Sequence, residues 1–114
     1  MEKNLIDNIN KLIKGTISGK IIWEKPNDKI YVWQTTNSSN RKLNVIVQGH
    51  QRGKELTQIM FRLWDVESKA ALIDIYTDNT TEEIKKKIFE LHQTITNGFE
   101  LGNTDVLADL LKDI

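Results

Sequence analysis

His50 and His92 are the two histidines of this 114-residue chain, and a histidine is the side chain best suited to act as a general base near neutral pH. A nucleophilic serine would need such a base within reach and an acid that orients its ring. His50 falls in a predicted turn, and His92 lies one position from the apolar stripe of a predicted helix. Neither has a recognisable partner in the sequence. We therefore interpret His50 as a solvated loop residue and His92 as a helix-flank residue, and we predict no catalytic residues.

Metal, thiol and cofactor chemistry also lack the residues that they require. The chain has no cysteine, which excludes a disulfide scaffold, a thiolate metal site and a cysteine nucleophile. Its carboxylates are scattered singly through predicted turns and helix surfaces, where they do not form the ligand spacing of a metal site. No glycine-rich phosphate-binding pattern is present. The sequence thus predicts a protein without a metal, a cofactor or an enzymatic activity.

Basic side chains beside two predicted turns form a candidate nucleic-acid site. The run Gly-His-Gln-Arg-Gly-Lys at residues 49–54 could present backbone amides and cations to a phosphate. Sixteen basic and sixteen acidic residues cancel, so no net field attracts the chain to nucleic acid. Binding of nucleic acid or a nucleotide is therefore kept as the alternative function. The candidate residues for it are Arg41, Lys42, His50, Arg52 and Lys54, which could instead be ordinary solvated surface.

Alternating residues in three predicted strands suggest a second candidate surface. Side chains in a strand point alternately to the two faces of a sheet. One alternating set is mainly aliphatic and is assigned to the core: Ile30, Val32, Ile59, Phe61, Leu63, Ile73 and Ile75. The other set has the aromatic, Met and Arg content that is typical of protein interfaces: Tyr31, Trp33, Met60, Arg62, Trp64 and Tyr76. We predict that this second set binds another protein, the alternative being that a helix covers it as ordinary core.

The order of periodic segments predicts how these residues are positioned. A helical pattern over residues 3–14 ends at Gly15, where a left-handed residue is expected. Residues 80–83 have the form of a capping box, which predicts the start of a second helix that ends near Gly98. Between them lie five short strands, predicted at residues 20–25, 29–35, 43–48, 56–64 and 71–77. A last helix is predicted from Asn103 or Thr104, with apolar positions Val106, Leu107, Leu110 and Leu111. Short connections favour an antiparallel meander, so we predict one α+β domain over residues 1–114, with an N-terminal helix, five strands and two C-terminal helices.

Both ends of the chain resemble small uncharacterised bacterial and phage proteins. The run LIKGTISGKIIW at residues 12–23 looks like their N-terminal helix followed by a Gly-Lys-Ile-x-Trp strand. Residues 88–92 and 105–112 are similar to their two closing helices. The resemblance implies the same topology but no activity, because it includes no known catalytic residues.

These observations lead to a non-catalytic protein-binding module as the expected function. The resemblance adds an expected role as an inhibitor or immunity-type protein of a bacterial or phage defence or toxin system. The partner is expected to be another protein, and a homodimer stays open. The polar residues among the first fifteen exclude a signal peptide and a membrane span there, so we expect a cytoplasmic protein that does not bind membranes.

Overall fold

The computed structural model describes residues 2–112, with side chains described for residues 2–99 and 108–112. Its elements are α1 (Glu2–Ile17), β1 (Glu24–Asn27), β2 (Ile30–Thr36), β3 (Lys42–Arg52), β4 (Glu55–Asp65), β5 (Ala70–Tyr76), a short 3-10 helix (Thr77–Asn79) and α2 (Glu82–Leu111). The predicted α+β class is confirmed. A helix precedes a five-stranded antiparallel sheet, and helical structure follows it.

The sheet is a simple meander in which each strand pairs antiparallel with the next strand along the chain. β1 and β5 are therefore its edges. The central strands β3 and β4 each have eleven residues and meet at a tight turn, where Gly53 has a φ of +67° that favours glycine. The turn predicted at residues 49–54 is shorter than expected, because Gly49 to Arg52 continue β3.

The connection between α1 and β1 differs from the sequence prediction. α1 continues past Gly15, and the left-handed residue after the helix is Gly19, with a φ of +79°. A Cβ on Gly15 would lie 2.6 Å from Cδ1 of Ile21, so glycine lets the connection pack closely against the helix. The strand predicted at residues 20–25 overlaps β1 only at its last two residues. Trp23 lies before β1, and its indole Nε1 donates a hydrogen bond to Thr16 Oγ1 at 2.9 Å.

The C-terminal region forms one continuous helix, α2, where the sequence predicted two. It begins one residue later than the predicted capping box, since Thr81 is the N-cap and its side-chain oxygen accepts a hydrogen bond from the Ile84 amide. Gly98 lies inside α2 and does not end it. Of the apolar positions predicted for the last helix, Leu110 and Leu111 are exposed, whereas Val106 and Leu107 lie outside the described side chains.

The apolar core lies between the two helices and one face of the sheet. α1 contributes Ile9 and Ile13, and α2 contributes a stripe at helical spacing, Ile84, Ile88, Leu91 and Ile95. The buried sheet residues in the same cluster are Tyr31, Val45, Val47, Ile59 and Phe61. Both helices therefore cover the same side of the sheet, which gives a two-layer domain.

Candidate functional site

The strand register defines two faces of the sheet. Directly paired residues of antiparallel strands point to the same side. The side toward the helices, which we call the core face, carries two paired rows, Tyr31–Val47–Phe61–Ile75 and Trp33–Val45–Leu63–Ile73. The opposite side, which we call the outer face, carries the rows Ile30–Gln48–Met60–Tyr76 and Val32–Ile46–Arg62–Asp74, together with Trp64.

The predicted protein-binding residues are divided between these faces. Met60, Arg62, Trp64 and Tyr76 share the outer face as predicted, but Tyr31 and Trp33 point to the core face. The assignment of Ile30 and Val32 to the core is corrected at the same time, because they are on the outer face. The physical reason is that β2 pairs with β3 so that Tyr31 lies opposite the buried Val47. A shift of one residue in that register would exchange the two sets.

Tyr31 connects the sheet to α2. Its ring makes an edge contact with His92 at a centroid distance of 5.7 Å, and it packs on Phe99 at 5.3 Å. Its hydroxyl lies 3.2 Å from the Thr96 hydroxyl, and the ammonium of Lys25 is 5.5 Å from the ring centroid. Tyr31 thus stabilises the helix-to-sheet packing and is not available to a partner.

The outer face combines apolar side chains with one ion pair. Its apolar members do not belong to the cluster formed with the helices, and they are Ile30, Val32, Ile46, Met60, Trp64 and Tyr76. Arg62 donates two hydrogen bonds to the Asp74 carboxylate, from Nε and Nη2, both at 3.2 Å. Both charged side chains are partly exposed, so solvent screens the pair and it contributes at most about 1 kcal/mol to stability. The face is therefore a mixed surface, mainly apolar, with a balanced charge pair.

Three outer-face residues were missed from the sequence as interface candidates. Ile46 alternates with Val45 and Val47 in β3, so its position on the opposite side could have been found from the strand pattern alone. Ile30 and Val32 could not have been found in this way, because their side depends on the register between β2 and β3.

The candidate nucleic-acid residues do not come together. Arg41 directly precedes β3 and Lys42 begins it, whereas Arg52 ends that strand and Lys54 follows it in the turn. Eleven residues of extended chain span roughly 35 Å, which separates the two groups by the length of the sheet. His50 lies in β3 near the second group and is partly exposed. The structure thus provides two small basic regions instead of one basic site.

Arg41 has a structural partner in Asp65, whose side chain is 1% exposed. Arg41 donates hydrogen bonds to Asp65 Oδ2 from Nε, at 2.7 Å, and from Nη2. The Glu67 amide donates to Asp65 Oδ1 at 3.1 Å. The hydrogen bonds from Arg41, more than any other cause, lower the pKa of Asp65 from 3.8 to about 2, although burial acts in the opposite direction. Arg41 therefore neutralises a buried carboxylate at the end of β4.

His92 is the histidine whose environment most resembles that of a functional group. Burial, and secondarily the nearby charge of Lys25, lower its pKa below the usual 6.5. It lines a pocket of about 190 Å³ that also contains Gly49 and Thr96. A catalytic triad requires a histidine ring that is hydrogen-bonded to a hydroxyl and to a carboxylate. Among the hydrogen bonds of the described residues, neither histidine ring makes such a contact.

Comparisons with known proteins do not assign this chain to a family. The chain matches no protein-family model, no curated protein and no solved structure. Within residues 2–112, no helix combines the length and the apolar character that are needed to cross a membrane. No group of three histidine or carboxylate side chains is placed to hold a metal ion in the same part of the chain.

Proposed function

We propose that this protein is a non-catalytic binding module whose outer face docks onto another protein. The observation that supports the proposal is a group of partly exposed side chains, Arg62, Trp64 and Tyr76, on the side of the sheet that neither helix covers, with the buried Met60 on the same face. Trp, Tyr, Met and Arg are the residue types enriched at protein interfaces and at their energetic hot spots. The expected partner is a folded protein that presents an apolar patch with a polar rim.

The charge of the outer face favours a protein partner over nucleic acid. The single positive charge of Arg62 is balanced by Asp74, so the face offers no excess of cations to a phosphate backbone. Stacking of bases on Trp64 or Tyr76 would lack the basic groove that accompanies stacking in single-strand binding proteins. The separation of Arg41 and Lys42 from Arg52 and Lys54 also weakens the nucleic-acid alternative.

The resemblance to small bacterial and phage proteins suggests a more specific role within this class. An inhibitor or immunity-type protein acts by covering a surface of its target, and a rigid sheet face is suited to that task because little order is lost on binding. The role in a defence or toxin system is the narrower part of our proposal.

Trp64→Ala is the variant that tests the proposal. Parent protein, Trp64→Ala and Ile22→Ala are immobilised, and proteins that they retain from the native host are identified by mass spectrometry. Ile22 is a matched apolar control, since it is 77% exposed and lies between α1 and β1, outside the sheet. We expect a partner that is retained by the parent and by Ile22→Ala but released by Trp64→Ala. With the purified partner, Trp64→Ala should raise the dissociation constant about 30-fold, which corresponds to about 2 kcal/mol.

Two other results would change this proposal. Equal retention of the partner by Trp64→Ala and the parent would contradict docking through the outer face. A dimeric mass for the isolated parent that becomes monomeric in Trp64→Ala would identify a second copy of the chain as the partner. The thermal midpoint of each variant is measured in parallel, because the loss of binding is informative only where the fold is intact.

A further inference from the structure

An apolar pocket of about 330 Å³ opens between α1 and one end of the core face. One wall is formed by α1, through Leu5, Ile9 and Leu12, and the floor is formed by the paired row that includes Trp33, Leu63 and Ile73. The pocket lies on the opposite side of the sheet from the outer face and is therefore independent of the proposed protein interface.

The pocket exists because the helices do not close this end of the core. The core face near α2 is sealed, and Val47 and Ile59 there are fully buried. Trp33, Leu63 and Ile73 are only partly buried, although they pack against the same core cluster. Solvent thus reaches apolar side chains of the core through the gap beside α1.

The lining of the pocket has one charged residue. Its polar side chains are Asn8 and Lys11, both exposed and one helical turn apart on α1, and no acidic residue lines it. Lys11 takes part in none of the ion pairs of the described residues. An apolar cavity with a single cation at its edge is complementary to an apolar molecule that carries one negative charge at its end.

We propose that this pocket binds a small amphiphilic anion, an aliphatic chain with a terminal carboxylate. The aliphatic chain would lie on the row of Trp33, Leu63 and Ile73, and the carboxylate would face Lys11 and Asn8. The volume lies at the lower end of the range found for small-molecule sites, which are also mainly apolar with a few polar groups. It accommodates a short aliphatic chain.

Titration with decanoate, followed by the three indole N–H signals in ¹H–¹⁵N spectra, tests the proposal. Trp33 lines the pocket, whereas Trp64 is on the outer face and Trp23 donates a hydrogen bond to Thr16. Below the micelle concentration, we expect a saturable shift of the Trp33 signal, while the Trp64 signal stays unchanged. An unmoved Trp33 signal, or equal shifts of all three signals, would overturn the proposal.

Two lysine variants separate the charge of the ligand from its apolar chain. Lys11→Glu should weaken decanoate binding about tenfold and leave decanol binding unchanged, because only the carboxylate senses the reversed charge. Lys14→Glu is the matched control, since Lys14 is exposed on the same helix and does not line the pocket. Equal decanoate affinity for Lys11→Glu and Lys14→Glu would overturn the assignment of Lys11 as the anion partner.

Discussion

The two faces of the sheet carry similar aromatic side chains, but only one face is covered by helices. Tyr31 and Trp33 point to the core face, and Trp64 and Tyr76 point to the outer face. The faces differ in their charged and amide side chains. The two rows beneath the helices are apolar throughout, whereas the outer rows contain Gln48, Arg62 and Asp74.

The cost of desolvating charged side chains explains why the helices pack on the core face and not on the outer face. Covering Arg62 and Asp74 with a helix would remove two charges from water, and their attraction repays that cost only with additional hydrogen bonds. Covering the rows of the core face removes mainly apolar surface from water, which is favourable. Aromatic content therefore does not decide which face is the core of this domain, and the placement of charges does.

The largest expected effect comes from two neighbouring residues of β4 that point to opposite faces. Phe61 and Met60 are 4% and 5% exposed, so their burial is matched. We expect Phe61→Ala to lower the free energy of unfolding by about 3–5 kcal/mol, because it leaves a cavity beneath the helices. Met60→Ala should cost about 2 kcal/mol, at the low end for a buried methionine, because its partly exposed neighbours on the outer face can move into the space. Urea unfolding of both variants measures the difference, and equal losses would contradict the contrast between the faces.

A smaller effect is expected at two glycines that probe how closely α2 packs on the core face. A Cβ on Gly49 would lie 2.9 Å from Leu56 Cδ1 and 3.2 Å from His92 Nε2. Gly49→Ala should therefore destabilise the protein by about 1–2 kcal/mol. Gly98, inside α2, has open space around the same position, so Gly98→Ala should stabilise by about 0.5–1 kcal/mol through helix propensity. Thermal midpoints that move in the same direction for both variants would contradict close packing at Gly49.

Local periodicity was enough to predict the order of the N-terminal helix, the five strands and the helix that follows them, but not the side of the sheet to which each strand residue points. The alternation in β3 and β4 and the helical spacing from Ile84 to Ile95 are properties of short segments, and both predictions are confirmed. The side on which Tyr31 lies depends on where β2 starts to pair with β3, which is set by tertiary packing. The predicted side of the sheet was therefore correct for the β4 and β5 members of the set and wrong for its β2 members, while binding of a protein to the outer face stays a prediction.

Two other differences from prediction have local physical causes. The break predicted at Gly98 does not occur, because a single glycine costs about 1 kcal/mol in a helix and the following residues contain no proline. The pairing of Arg41 with Asp65 joins residues 24 positions apart, and no pattern in the sequence indicates it. Arg41 was accordingly assigned to a surface site, although it neutralises a buried carboxylate.

The last expected effect is confined to acid pH and concerns the one charged residue among the paired positions of the core-face side. Asp65 follows Leu63 by two residues and pairs with Leu43, so it lies on the core-face side at the end of the sheet. There it is contacted by the Arg41 side chain. Its pKa is about 2 in the folded protein and 3.8 in the reference state, so the unfolded chain binds more protons between these values. The stabilisation from Asp65 is complete above about pH 4 and is lost as the pH falls toward 2. Urea midpoints between pH 2 and 7 should fall less steeply in acid for Asp65→Asn than for the parent. Arg41→Gln removes the largest cause of the low pKa, so the acid loss should also be reduced there, and a steep loss that persists in both variants would show that another carboxylate causes it.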